Sequence, residues 1–198
     1  MGEIVRRIQD ESVSLTRCKM IWVDETYIDY MPNVQSLEPM VATTPSLIVC
    51  KSMSKCYALS GLRVAYAVSQ KMTELRQFIP PWAVSLPGQL AAVAALRNPK
   101  YYRQQYNIIH QQREELSQLL EQEKFTVLPG VANFLLTFLP EHTHYTSALF
   151  IEACKDKGVF LRDAQNMGAT LTNKAVRFAI HSEENNARIV QCVKEVLS

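Results

Sequence analysis

The stretch Lys51-Ser52-Met53-Ser54-Lys55-Cys56-Tyr57-Ala58-Leu59-Ser60-Gly61-Leu62-Arg63-Val64-Ala65 decides how the rest of the chain is read. An apolar run from Leu47 to Cys50 precedes its chemistry and a second, Val64 to Val68, follows it; both read as strands. Between them stand two hydroxyls (Ser52, Ser54), an amine (Lys55) and a guanidinium (Arg63). Arg63 can fork two N–H donors onto phosphate oxygens, and the hydroxyls can donate to the others. Lys55 can attack a carbonyl to form a Schiff base where its surroundings lower its pKa. A small phosphorylated aldehyde satisfies both halves of such a set. Ser-x-Ser-Lys taken alone also occurs in ordinary surface turns, so the spacing to Arg63 carries the weight.

Outward toward the N-terminus, Met20 to Val23 reads as a short strand that ends in Asp24-Glu25-Thr26-Tyr27, and Gly2 to about Ser14 has the pattern of an amphipathic helix. A helix, a buried strand and acids at the strand's carboxyl end suggest an open α/β sheet, whose ligands lie beyond the carboxyl ends of strands. Asp24 is then placed to meet what Lys55 binds. The alternative is an Asp-Glu pair that only caps a helix. Residues 31–45 read as a loop with one helical turn around Val34 to Leu37.

Outward toward the C-terminus, a helix is expected over Gln70 to Phe78, a break at Ile79 to Ser85 around Pro80-Pro81, and an alanine-rich helix over Pro87 to Leu96. A long helix with one wet face starts at Pro99 and runs to about Gln122. Beyond it come short strands at Thr126 to Leu128, Phe134 to Phe138, Val159 to Arg162 and Ala175 to Ile180. Helices are expected between them over Tyr145 to Lys157 and after them over Glu183 to Leu197. The expected organisation is a partial α/β domain over 1–100, a bridging helix over 101–121, and a smaller α+β domain over 122–198.

Composition narrows the function. A formal charge of +2 with dispersed Lys and Arg gives no footprint for nucleic acid, and no apolar run approaches the ~20 residues of a membrane span. The charged segment Met1 to Asp10 is unlike a signal peptide. Five cysteines, odd in number and without a Cys-x-x-Cys pair, point to a reduced, cytoplasmic chain with neither disulfide framework nor zinc site. Cys56 beside Lys55 reads as reactive or, more simply, as a packing residue. His142 and His144 lack a third metal ligand, and His181 reads as a cap for the last helix. No Gly-x-Ser-x-Gly elbow, Walker loop or dinucleotide fingerprint is present.

Ser-Met-Ser-Lys followed by Ser-Gly-Leu-Arg-Val-Ala-Tyr resembles the lysine segment of class I/II (fold type I) aminotransferases that use pyridoxal 5'-phosphate, nearest to histidinol-phosphate aminotransferase and threonine-phosphate decarboxylase. Val-Asp-Glu-Thr-Tyr-Ile-Asp-Tyr is similar to a second segment of that family. The resemblance implies that Lys55 binds the cofactor, that Ser52, Ser54 and Arg63 hold its phosphate, that Asp24 pairs with the ring nitrogen, and that Tyr27 bonds the phenolic oxygen. It implies that Arg177, in Ala-Val-Arg-Phe-Ala-Ile, clamps a substrate carboxylate, and that Arg162, in Phe-Leu-Arg-Asp, contacts substrate; a surface salt bridge is the alternative for each. Pro-Pro-Trp-Ala-Val-Ser resembles a loop near the family's active-site mouth.

The implied fold is part of the large, mixed and mostly parallel domain of these transferases, with helices on both faces, followed by their small C-terminal domain. The implied activity is transamination of an amino acid, phosphorylated ones included, in a homodimer. Decarboxylation at the same cofactor and a non-catalytic remnant are the alternatives. Only the later part of the family pattern is matched, so a fragment or truncated product with an open sheet edge and an apolar patch is expected.

Overall fold

The computed structural model describes residues 20–168, 170–171 and 173–198; the expected helix from Gly2 to Ser14, and Cys18, lie outside them. The chain divides into two compact units, Met1–Arg103 and Gln104–Ser198.

In the first unit three strands form one mixed sheet: β1 (Ile21–Asp24), β2 (Leu47–Ser52) and β3 (Ala65–Ser69), in the order β1-β2-β3. β1 runs parallel to β2 with Asp24 opposite Cys50, and β3 runs antiparallel with Ala65 opposite Ser52. The central strand is the run Leu47-Ile48-Val49, buried on both faces and β-branched at Ile48 and Val49. On one face Ile21, Val23, Leu47, Val49 and Val68 pack against Leu37, Met40 and Val41. The crossover from β1 to β2 carries two short 3₁₀ turns, Ile28–Tyr30 and Glu38–Ala42. The turn expected at Val34 to Leu37 therefore sits later, where Pro39 in its first turn supplies a helix-ready φ.

After β3 the chain makes α1 (Met72–Arg76), shorter than the expected Gln70 to Phe78, and α2 (Leu86–Leu96). The Ser85 hydroxyl accepts the Gly88 N–H and so caps α2. A Cβ on Gly88 would lie 3.2 Å from the Leu62 carbonyl oxygen, so glycine there lets α2 approach the loop that carries Lys55 and Arg63. That contact forms a small core of Met53, Val64 and Ala95 with Tyr57, Leu62 and Ala92 around it. α2 is apolar on all sides, and Leu86, Leu90 and Val93 remain exposed with Phe78, Ile79 and Trp82.

The chain continues through α3 (Pro99–Gln122), β4 (Thr126–Val127), β5 (Phe134–Phe138), α4 (Ser147–Asp156), β6 (Arg162–Asp163), β7 (Ala175–Ala179) and α5 (Glu183–Leu197). The sheet of the second unit has the order β4-β5-β7-β6 with every ladder antiparallel. Its inner face, Leu135, Val176 and Phe178, packs against Leu116 and Leu120 of α3, Phe150 of α4 and Val193 of α5. The strand expected at Val159 to Arg162 is a correction: β6 begins only at Arg162. Gly158, at φ +77°, ends α4, and the Val159 N–H turns back to the Cys154 carbonyl instead of joining the sheet.

Candidate functional site

Alternation along β1 and β2 sorts the polar residues at the parallel edge. Asp24 faces the same side as its partner Cys50, and Ser52, two residues on, shares that side. Lys51 faces the other. Asp24 Oδ1 accepts hydrogen bonds from the Thr26 N–H, at 2.8 Å, and from the Thr26 hydroxyl. The same Thr26 oxygen accepts the Ser52 N–H at 3.4 Å. One threonine thus ties the two carboxyl ends together, and the first of its bonds to Asp24 closes a local turn; the short 3₁₀ helix that follows, Ile28–Tyr30, takes no side-chain cap. Asp24 Oδ2 accepts no hydrogen bond from the described residues.

The chain leaves β2 into a loop that carries Ser54, Lys55 and Arg63 and closes where the Met53 N–H donates to the Val64 carbonyl at 3.1 Å. Ser52 Oγ accepts the Ser54 N–H, which leaves the Ser52 proton available. Lys55 is exposed, and its amine has no hydrogen bond or ion pair among the described residues; its carbonyl accepts the Tyr30 hydroxyl at 3.3 Å. Arg63 is exposed and turned back so that Nη1 donates to the Ser60 carbonyl at 3.0 Å; its other N–H donors are uncommitted among the described residues. Ala58 and Arg63 both hold positive φ, +56° and +52°, a strained conformation for non-glycine residues that tends to collect at ligand sites. Tyr27 is half-buried, with its ring 6.3 Å from that of Tyr30.

Three parts of this edge escaped the sequence reading: Thr26, Tyr30 and the charge under the sheet. Lys51 is buried and its ammonium lies 2.9 Å from Glu38, 3.5 Å from Glu25 and 3.8 Å from Asp29. Burial alone would lower the Lys51 pKa, but the Glu38 hydrogen bond and the three carboxylate charges outweigh it, and the net direction is upward. Burial also pushes the Cys56 thiol up to about 12, helped by the Asp29 charge, so Cys56 stays a thiol that donates to the Thr26 carbonyl. A packing role fits it better than reactivity.

In the second unit, Arg177 of β7 is the register partner of Arg162 of β6, so the two arginines project from the same face. Arg177 is half-buried, with its guanidinium carbon 4.9 Å from the centre of the Phe134 ring; Arg162 is exposed. Like charges directly opposite each other are unfavourable, and an anion between them would relieve the repulsion. Neither arginine makes a salt bridge to a described acid. His181 engages the last helix by its backbone, not its ring: its N–H donates to Asn186 Oδ1 and its carbonyl accepts from Asn186 Nδ2. His144 stacks on Tyr145, and among the described residues no group of three His, Cys, Asp or Glu side chains could hold a metal ion. No helix among them is long and apolar enough to cross a membrane.

Comparison with known proteins shows the family and the fold. A histidinol-phosphate aminotransferase of Archaeoglobus fulgidus is 30% identical over 98% of this chain and 53% of its own length. The chain spans about half the length of the curated relatives it matches. Among solved structures, an L-threonine-O-3-phosphate decarboxylase from Porphyromonas gingivalis superimposes with a TM-score of 0.81 at 22% identity, covering 99% of this chain and 59% of that one. A histidinol-phosphate aminotransferase from Sinorhizobium meliloti, solved in complex with pyridoxal-5'-phosphate, gives 0.75 at 22% identity, covering 90% of this chain and 48% of that one. These two likenesses establish the fold, a part of the fold-type-I transferase architecture. The family model described as aminotransferase class I and II matches residues 12–193, nearly the whole chain. The chain belongs to the class I and II aminotransferases.

Proposed function

We propose that this chain contributes the lysine side of a pyridoxal 5'-phosphate site and acts in transfer of an amino group from an amino acid. One observation carries the reading: Asp24 and Ser52 share a face of the parallel edge, joined through Thr26, and Lys55 follows in the turn that leaves it. The donor set suits the group. Two half-buried hydroxyls and a guanidinium with donors to spare meet a phosphate, an uncommitted amine meets an aldehyde, and a carboxylate with one unbonded oxygen meets a protonated ring nitrogen.

Bound there, pyridoxal phosphate would supply an electron sink for the bonds at the substrate's α-carbon. The protein's share is binding and proton handling. Ser52, Ser54 and Arg63 hold the phosphate, Asp24 keeps the proton on the ring nitrogen, and Tyr27 donates to the phenolic oxygen. Lys55 would hold the cofactor's aldehyde carbon, and its free amine would take the proton from the substrate's α-carbon as a general base. Arg177 forks onto the substrate carboxylate, and Arg162 beside it meets a second anionic group, which suits a phosphorylated amino acid. A homodimer working in the cytoplasm is part of the same proposal.

The test mixes the chain with pyridoxal phosphate, reduces with borohydride and maps the peptides. A pyridoxyl group on Lys55 is expected, and Lys55→Ala should remove it. A total label undiminished in that variant overturns the assignment. Keto acid rather than carbon dioxide as product, assayed with an amino-acid substrate, separates transamination from decarboxylation.

A further inference from the structure

The lysine that the proposed site does not use, Lys51, lies on the opposite face of β2 from Ser52 and is buried. Its ammonium is the common centre of three carboxylates from separate places in the crossover: Glu25 directly after β1, Asp29 in the first 3₁₀ turn and Glu38 in the second. Each acid also holds something else. Glu25 accepts the Ser36 hydroxyl at 2.6 Å and the Leu37 N–H at 2.7 Å, and Glu38 accepts the Tyr66 hydroxyl at 2.9 Å. Asp29 acts on the Tyr57 phenol, whose pKa burial raises first and the Asp29 charge raises further.

Buried ion networks are poor sources of net stability, because desolvation offsets the attraction. What such a network does well is fix one arrangement of the segments that supply its charges. The segments here are those that frame the proposed site. Residues 24–30 and 52–57 meet through Ser52 N–H to Thr26, the Tyr30 hydroxyl to the Lys55 carbonyl, and the Cys56 thiol to the Thr26 carbonyl. These three bonds range from 3.2 to 3.4 Å, and Asp29, itself a partner of Lys51, adds a link by accepting a hydrogen bond from the Tyr57 phenol.

We infer that Lys51 is a positioning residue: by binding Glu25, Asp29 and Glu38 beneath the sheet, it locks the segment after β1 against the loop after β2 and so fixes Lys55 relative to Asp24. The consequence at Lys55 rests on the proposed cofactor site; the lock itself does not.

The experiment compares the full chain with Lys51→Met, Lys51→Arg and Glu38→Gln by amide hydrogen exchange and by pyridoxyl labelling of Lys55. In Lys51→Met, peptides covering 24–31 and 52–58 should exchange about a hundred- to a thousandfold faster, the size expected when one partner leaves a buried ion pair, while α2 peptides, which supply no group to the network, change little. Labelling of Lys55 should slow by about tenfold, and Lys51→Arg, which keeps the charge, should recover most of both. Glu38→Gln keeps the shape, removes the closest carboxylate, and should move the same two peptides less; it serves if Lys51→Met does not fold. Unchanged exchange in 24–31 and 52–58 overturns the inference. So does an equal rise in α2, which would make Lys51 a general stabiliser. If the unaltered chain takes no label at all, the cofactor proposal fails while the exchange comparison still judges the lock.

Discussion

At Thr26 a single hydroxyl donates to Asp24 and accepts from the Ser52 N–H, so the relation of two strand ends depends on one side-chain oxygen. Thr26→Val keeps the shape and removes both bonds. It should destabilise the first unit by about 1–2 kcal/mol, the cost of leaving a half-buried N–H and a carboxylate short of partners. Denaturant titration followed by tryptophan emission reads that unit alone, since Trp22 and Trp82 both lie in it; a shift under about 0.3 kcal/mol would mean that water replaces the hydroxyl without loss. Lys55, Asp24 and Arg63 stand out as candidates in the sequence by residue type and local spacing. Thr26 and Lys51 do not, because their partners come from other segments. Ser52 N–H, Glu25 and Glu38 meet them only once β1 and β2 pair in the observed register.

Elements were legible where periodicity runs long. The closing helix α5 spans the expected Glu183 to Leu197, and β5 the expected Phe134 to Phe138. Boundaries set by a few special residues were not. The apolar Val159 to Leu161 looks like a strand in sequence, yet the left-handed Gly158 returns the Val159 N–H to α4, so pairing starts at Arg162. Of the two 3₁₀ turns of the crossover, one was expected too early, at Val34 to Leu37, and the other was missed, because both are too short to show a period. The long helix α3 carries Leu116 and Leu120, both fully buried against Phe125, Phe150 and Phe178. Leu120→Ala should cost the second unit about 2–5 kcal/mol, as cavity-forming core truncations do. Helical circular dichroism against denaturant measures it. Exposed Leu149→Ala on α4 is the control, expected within about 0.5 kcal/mol of the parent.

For the whole molecule, two buried thiols and the buried Lys51 lean the same way in alkali. Burial, then the neighbouring Cys192, raises the Cys154 thiol from 9.0 to about 12; burial, then Asp29, raises Cys56 from 9.0 to about 12. Between those values the unfolded thiols have lost their protons and the folded ones have kept them. The folded state therefore binds more protons, and stability falls as pH rises, by up to about 1.4 kcal/mol per pH unit for each group. Lys51 adds to the same trend by a different route. Its pKa is raised above 10.5 in the fold, so its contribution is intact below 10.5 and is lost as pH climbs through the folded value. The melting temperature should stay level from about pH 7 to about pH 9 and then drop steeply. In Cys154→Ala, which removes one of these groups, the alkaline slope of stability should be shallower by up to one group's share, whatever the variant's stability at neutral pH. A midpoint that holds level to about pH 11 would mean that the thiols ionise inside the fold without penalty, and that these sites are open to water.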